Sequence, residues 1–165
     1  YKMRKRKKII TFILCFVLLL CIVLGIRQCT IYYVLPPDQD MAERLCRKDQ
    51  ESFRIIIDYF MASKDTKIFI DKASYKKDDM KVAGHKIQDK QVLKTLKYFF
   101  TIKGYKVIGR NGNTIYFEKW SFGERSIGLA YLIEEDADLW IEALVKSVPL
   151  SQSRWYYYET DYGEF

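Results

Sequence analysis

The sequence predicts an α+β protein: an N-terminal transmembrane helix, then a compact domain with two or three helices packed on a mainly antiparallel sheet. Three observations carry this. Ile9 to Ile26 is an 18-residue run without a charge. Two later segments repeat apolar residues at helical spacing. After the second of them, β-prone runs flank Asn111-Gly112, the strongest short hairpin signal.

The first eight residues are a basic stub, with Lys2, Arg4, Lys5, Arg6, Lys7 and Lys8. The run that follows, IITFILCFVLLLCIVLGI, spans about 27 Å as a helix, close to the roughly 30 Å hydrocarbon core. A cleaved signal peptide shares the basic start and apolar centre, but cleavage needs small residues after the run. Gly25, Ile26, Arg27 and Gln28 stand there instead. Leu20 before Cys21 and Gln28 before Cys29 do not make a lipoprotein site. The reading is an uncleaved signal-anchor. Six cations precede it and only Arg27 follows directly, so the expectation is a cytoplasmic N-terminus and an extracytoplasmic domain. Tyr1 in place of Met suggests either a start at Met3 or a fragment.

Residues 27–37 form a tether ending in Pro36-Pro37, which stops any continuing helix. Asp38 or Asp40 can cap a helix over about 39–62, with Met41, Leu45, Phe53, Ile56, Ile57, Phe60 and Met61 near helical spacing. Thr66 to Ile70 reads as a short strand. Residues 71–86 are polar and Lys-rich, a loop or irregular hairpin with a short strand near Met80 to Ile87. Asp89 can cap a second helix, whose stripe is Val92, Leu93, Leu96, Phe99 and Phe100. Gly104 ends it as a helix-terminating glycine.

Tyr105 to Ile108 and Asn113 to Trp120 then pair about Asn111-Gly112. A third strand at about Arg125 to Ile133 puts Ile127, Leu129, Tyr131 and Ile133 on one face. Ser126, Gly128, Ala130 and Leu132 lie on the other, so one side packs hard against the helices. Asp136 to Lys146 suits a third helix that Pro149 terminates. Trp155 to Tyr158 reads as a short strand or a packed tail.

The stretch KGYKVIGRNGNTIYFEKWSFGERSIGLAYLI, with the later PLSQSRWYYYETDYGEF, resembles small membrane-anchored or lipoprotein-like bacterial proteins of unknown function. In those a helix-Gly-Tyr step leads into a hairpin and a terminal aromatic segment. The resemblance implies a bacterial, extracytoplasmic α+β domain. It implies no activity.

Charge narrows the function classes. The chain carries +7, with 28 basic and 21 acidic residues. Six of the basic residues lie in the stub and no acidic residue precedes Asp38, which leaves 22 basic against 21 acidic residues. The domain is near neutral, so nothing points to nucleic acid, which needs a basic patch on the folded domain. Cys15 and Cys21 are small apolar residues of the anchor. Cys29 and Cys46 are two independent thiols or, in an oxidising compartment, a disulfide.

No motif signals a catalytic, metal or cofactor site. His85, the only histidine, sits in the Lys-rich segment with no ligand-like neighbours and reads as a surface residue. Glu134, Glu135, Asp136 and Asp138 lack the spacing of a calcium loop and read as a solvated turn. Gly123 and Gly128 in SFGERSIG match no phosphate loop. The best lead is the acidic, aromatic tail WYYYETDYGEF, since aromatic side chains with hydroxyls are enriched in recognition sites. Its candidate binding residues are Trp155, Tyr156, Tyr157, Tyr158 and Tyr162, with alternate members in the core.

The expected function is therefore a non-catalytic recognition or accessory domain. The bilayer holds it through 9–26, and it binds a protein or a cell-envelope component. An envelope hydrolase using acidic residues and an immunity-type protein are the alternatives. An enzyme predicts a concave pocket with titratable groups of perturbed pKa.

Overall fold

The computed structural model of the chain describes residues 16–20, 22, 36–77, 79–82 and 84–164. The chain divides into two units, Tyr1–Leu35 and Pro36–Phe165. In the first, residues 16–20 and 22 are helical (α1), and their apolar side chains, Phe16 to Leu20 and Ile22, are exposed. The basic stub, both ends of the expected anchor, the tether up to Leu35, and Cys15, Cys21 and Cys29 lie outside the described residues. Among the described residues no helix is long and apolar enough to cross a membrane.

The second unit is α+β, with helices on one face of a six-stranded antiparallel sheet. Asp38 caps α2 (Gln39–Lys48), its Oδ1 accepting from the Met41 amide at 2.7 Å. Helix α3 (Gln50–Ala62) follows at once. The single helix expected over 39–62 is thus two, broken at Asp49. The cause is tertiary. Asp49 is buried and turns inward, where Lys103 Nζ lies 2.7 Å from its carboxylate and the Tyr98 hydroxyl donates to it at 2.9 Å.

Strand β1 (Lys67–Asp71) leads into a five-residue helix α4 (Lys72–Lys76), capped by Asp71. A two-residue hairpin, β2 (Lys81–Val82) and β3 (His85–Lys86), fits the irregular hairpin expected there. Asp89 caps α5 (Lys90–Lys97) through the amides of Gln91 and Val92. That helix widens into a π-helical turn, Tyr98–Lys103, which Gly104 ends at φ 75°. The wider turn carries Phe99, Phe100 and Lys103 inward together.

The remaining strands are β4 (Val107–Asn111), β5 (Thr114–Phe122), β6 (Arg125–Leu132), β7 (Leu144–Pro149) and β8 (Trp155–Asp161). Their order is β1-β4-β5-β6-β8-β7, every neighbouring pair antiparallel. The β4–β5 loop is Gly112-Asn113, one residue later than expected, because Asn111 pairs with Thr114. Only Gly112 has positive φ, the pattern of a type II′ turn. The third helix expected over 136–146 is absent: 133–143 is a loop and β7 begins at Leu144. Edge pairing with β8 competes with the helix there and wins, and Ala143 adopts a left-handed φ of 54° that a helix interior excludes.

The helix-facing side of the sheet is an aromatic core. The Phe53 ring of α3 lies 4.8 Å from Phe117, 4.9 Å from Trp155, 5.0 Å from Phe99 and 6.1 Å from Tyr105. Arg110 on β4 reaches the end of α3, donating to the Phe60 carbonyl at 2.7 Å. Free Cys46 sits in the same core, and burial pushes its thiol up to about 12.

A bulge in β5 makes Lys119 the extra residue between the pairs Glu118–Gly128 and Trp120–Ile127. Its ammonium donates to the Lys103 carbonyl and stands 5.1 Å over the Tyr105 ring. Burial, with Lys103 nearby, pulls its pKa from 10.5 down to about 8. Lys103 moves the other way: burial lowers it, but Asp49 and Tyr98 outweigh that and raise it.

Between pH 8 and 10.5 the unfolded chain therefore holds a proton at Lys119 that the folded chain has released, so this residue's contribution to stability rises with pH across that window. Lys119→Met should stabilise the protein by roughly 2–4 kcal/mol at pH 7, and the gain should shrink towards pH 10.5. Denaturant unfolding of both chains at pH 7 and pH 10 measures it. A difference that does not change with pH would mean that Lys119 ionises as freely folded as unfolded.

Candidate functional site

Among the described residues of this unit, helices cover one face of the sheet. On the other, strand alternation aligns Phe69 of β1, Tyr116 and Glu118 of β5, Ser126 of β6, and Tyr158 and Thr160 of β8. These side chains floor a cleft of about 180 Å³.

Two strand glycines shape the floor. Gly109 is the cross-strand partner of Tyr116, and Gly128 that of Tyr158. The hydroxyl end of each tyrosine reaches across onto its glycine. A Cβ at Gly128 would collide with the Phe117 carbonyl and stand 2.8 Å from Tyr158 Oη, and one at Gly109 would collide with Tyr116 and with the Ile68 carbonyl. Glycine inside a strand weakens it unless something approaches closely, and here a tyrosine does. Ser126 and Thr160 share a 2.7 Å hydroxyl contact beside the floor.

The 133–143 loop and the terminal turn form the wall and rim. Trp140, Ile141 and Glu142 line one side and Tyr162 another. The loop is pinned to the sheet at both ends. The Ile133 amide donates to the Asn113 carbonyl, the Trp140 amide to Thr114 Oγ1 at 3.0 Å, and the Asp161 amide to the Ala143 carbonyl at 3.0 Å. Trp140 keeps 54% of its surface in solvent.

The cleft is acidic and desolvated. Burial holds the Glu118 carboxyl above its ordinary pKa, against hydrogen bonds from Ser126 and Ser121 and the charge of Lys106. Burial also pushes the Tyr116 hydroxyl up to about 12, helped by Tyr162, Glu118 and Glu142. Tyr158 is driven well above 10 by burial and by Glu118, Tyr116 and Tyr162, and Tyr162 rises for the same kinds of reason. Glu118 acts on all three tyrosines, so its carboxylate and their hydroxyls share one environment. Near neutral pH the tyrosines remain hydroxyl donors.

The candidate residues of the aromatic tail divide by strand alternation. Trp155 and Tyr157 enter the helix-side core, where the Tyr157 hydroxyl donates to the Pro37 carbonyl at 3.2 Å. Tyr156 and Tyr158 lie on the open face, Tyr156 half-buried and Tyr158 only 2% exposed. Tyr162, in the short 3-10 turn Tyr162–Glu164, stands at the cleft rim with 48% exposure. The cleft thus brings Tyr158 and Tyr162 together and leaves Trp155 and Tyr157 to packing.

Sequence reasoning missed Tyr116, Glu118, Trp140 and Glu142. Gly109 and Gly128, set inside β-prone runs, were the signal, since a strand glycine marks close approach of another group.

His85 is exposed on β3. Glu134, Glu135, Asp136 and Asp138 are exposed in the loop after β6, with Asn113 donating to Glu134 at 2.9 Å and Ser153 to Glu135 at 3.2 Å. Among the described residues no group of three acidic, cysteine or histidine side chains is placed to hold a metal ion. Gly123 turns β5 into β6 with φ 60°. No family model, curated protein or solved structure matches the chain.

The floor is testable through its glycines. Gly128→Ala should destabilise the protein by at least about 1–3 kcal/mol, because the added methyl meets the Phe117 carbonyl of the neighbouring strand as well as the Tyr158 ring. Combining it with Tyr158→Ala should give less than the sum of the two single effects, as contacting residues do. Denaturation midpoints of the three variants report this, and strict additivity would separate the ring from the glycine.

Proposed function

We propose that this chain is a membrane-tethered recognition domain that binds a protein or cell-envelope component through the open-face cleft. The observation that carries this is the cleft itself. A half-buried carboxylate and two tyrosine hydroxyls converge on one floor under an exposed tryptophan. Ligand sites combine apolar and aromatic walls with a few convergent polar groups in this way. Folding alone offers a simpler solution for that face, an ordinary solvated surface.

The tether is part of the proposal. The 18-residue uncharged run, the six cations before it and the exposed apolar side chains of α1 all suit a membrane helix with a cytoplasmic N-terminus. The 36–165 unit then lies outside the cytoplasm. Protease added to intact spheroplasts should digest that unit and spare the stub. Its full protection would reverse the assigned orientation.

Binding is read with isotope-labelled tyrosine rings in the full chain. Soluble fragments of digested cell envelope should shift the signals of Tyr116, Tyr158 and Tyr162 and leave Tyr98 and Tyr105, on the helix side, unmoved. Shifts confined to other tyrosines, or none, would remove the cleft as the site.

One observation favours a second reading. Glu118, held above its usual pKa by burial and lining the same cleft as Glu142, is the kind of carboxyl a hydrolase uses as a general acid. Under that reading Glu118→Gln abolishes turnover of an envelope substrate. Under the binding reading it alters affinity alone.

A further inference from the structure

The chemistry of the cleft specifies more than a site. Its lining holds two carboxylates, Glu118 and Glu142, and no lysine, arginine or histidine. Of the nearby cations, Lys106 donates to the Ser121 carbonyl and hydroxyl at 3.0 and 3.1 Å and offsets part of the Glu118 charge, and Arg125 pairs with Asp161 at 2.7 Å. An anion entering the cleft meets two carboxylates and no cation among the lining residues. At about 180 Å³ the space is smaller than the roughly 300–1,000 Å³ of ordinary ligand pockets. It suits one compact group of a ligand.

From this we infer that the cleft recognises a compact organic cation, an alkylammonium or quaternary ammonium group, seated among Tyr116, Tyr158, Tyr162 and Trp140 and countered by Glu118 and Glu142. The inference rests on the cleft being the binding site and names the chemistry of what enters it. Aromatic rings attract a cation through their negatively charged faces, and grouped rings are the recurrent answer to quaternary ammonium. The glycines matter here too. They let Tyr116 and Tyr158 lie across the sheet, where both line the cavity. The burial that lifts Glu118 leaves a carboxylate short of solvent, and an arriving cation restores what the solvent would have supplied.

The test uses the full chain in a neutral polyoxyethylene detergent, with choline as the probe and 3,3-dimethylbutan-1-ol as its uncharged match in shape. Choline should shift the ring signals of Tyr116, Tyr158 and Tyr162. The alcohol should bind at least tenfold more weakly. Glu118→Gln combined with Glu142→Gln should weaken choline at least tenfold, with the Tyr105 signal unchanged as the check that the fold persists. Equal binding of the two probes by the unaltered protein overturns the cation and leaves the cleft as a site for neutral groups. No shift with either probe also overturns it, whereas envelope fragments that still shift the same tyrosines keep the binding reading alive. The probe comparison stands even where the double variant fails to fold.

Discussion

The ring of Phe53 ties the helices to the sheet. It sits on α3, is fully buried, and meets Phe99 of the π-helical turn, Tyr105 before β4, Phe117 at the centre of β5 and Trp155 at the start of β8. Aromatic pairs at these separations hold their partners in defined orientations as well as burying area. Residues far apart in sequence are thereby committed to one layer. Tyr157, the alternate neighbour of Trp155 on β8, follows it to the same side. Strand period then sends Tyr156 and Tyr158 to the opposite face. The open-face site is thus a consequence of how the closed face packs.

Ionisable groups are drawn inward on both faces. Lys103 and Lys119 point into the helix side, where Asp49 satisfies the first and a backbone carbonyl the second. Glu118, the sequence neighbour of Lys119, points the other way into the cleft. Burying a charge is costly unless it is paired. Asp49 pairs with Lys103, and the helix breaks where the pair requires it. Lys119 meets the cost by a lowered pKa, and Glu118 by a raised one. The bulge at Lys119 is where the strand changes from one arrangement to the other.

The helix expected over 136–146 shows how local preference yields. Leu139, Trp140, Ala143 and Leu144 have helical spacing, yet β8 offers an unpaired edge and Leu144–Pro149 takes it. The preceding residues then become a strap across the open face, fixed by Thr114 and by the Asp161 amide. Trp140 and Glu142 reach the cleft only because that helix does not form. A backbone hydrogen-bond ladder competes with a short helix of modest propensity, and the ladder also closes a sheet edge.

By itself the sequence determined what short-range chemistry decides. Asp38 and Asp89 cap their helices, Gly104 ends one, the hairpin forms beside Asn111-Gly112, and the β6 residues alternate between the two faces. Each rests on side chains within a few positions of one another, so a linear reading reaches it. The break at Asp49, the inward turn of Lys119 and the strap over 133–143 were decided by tertiary structure, because each answers a partner on another element. The cleft belongs to that second class. Tyr116 and Gly109 lie on different strands, as do Tyr158 and Gly128, and Glu118 and Glu142 belong to different segments. Only the register of the sheet sets one against the other, and register follows from which face the aromatic core closes.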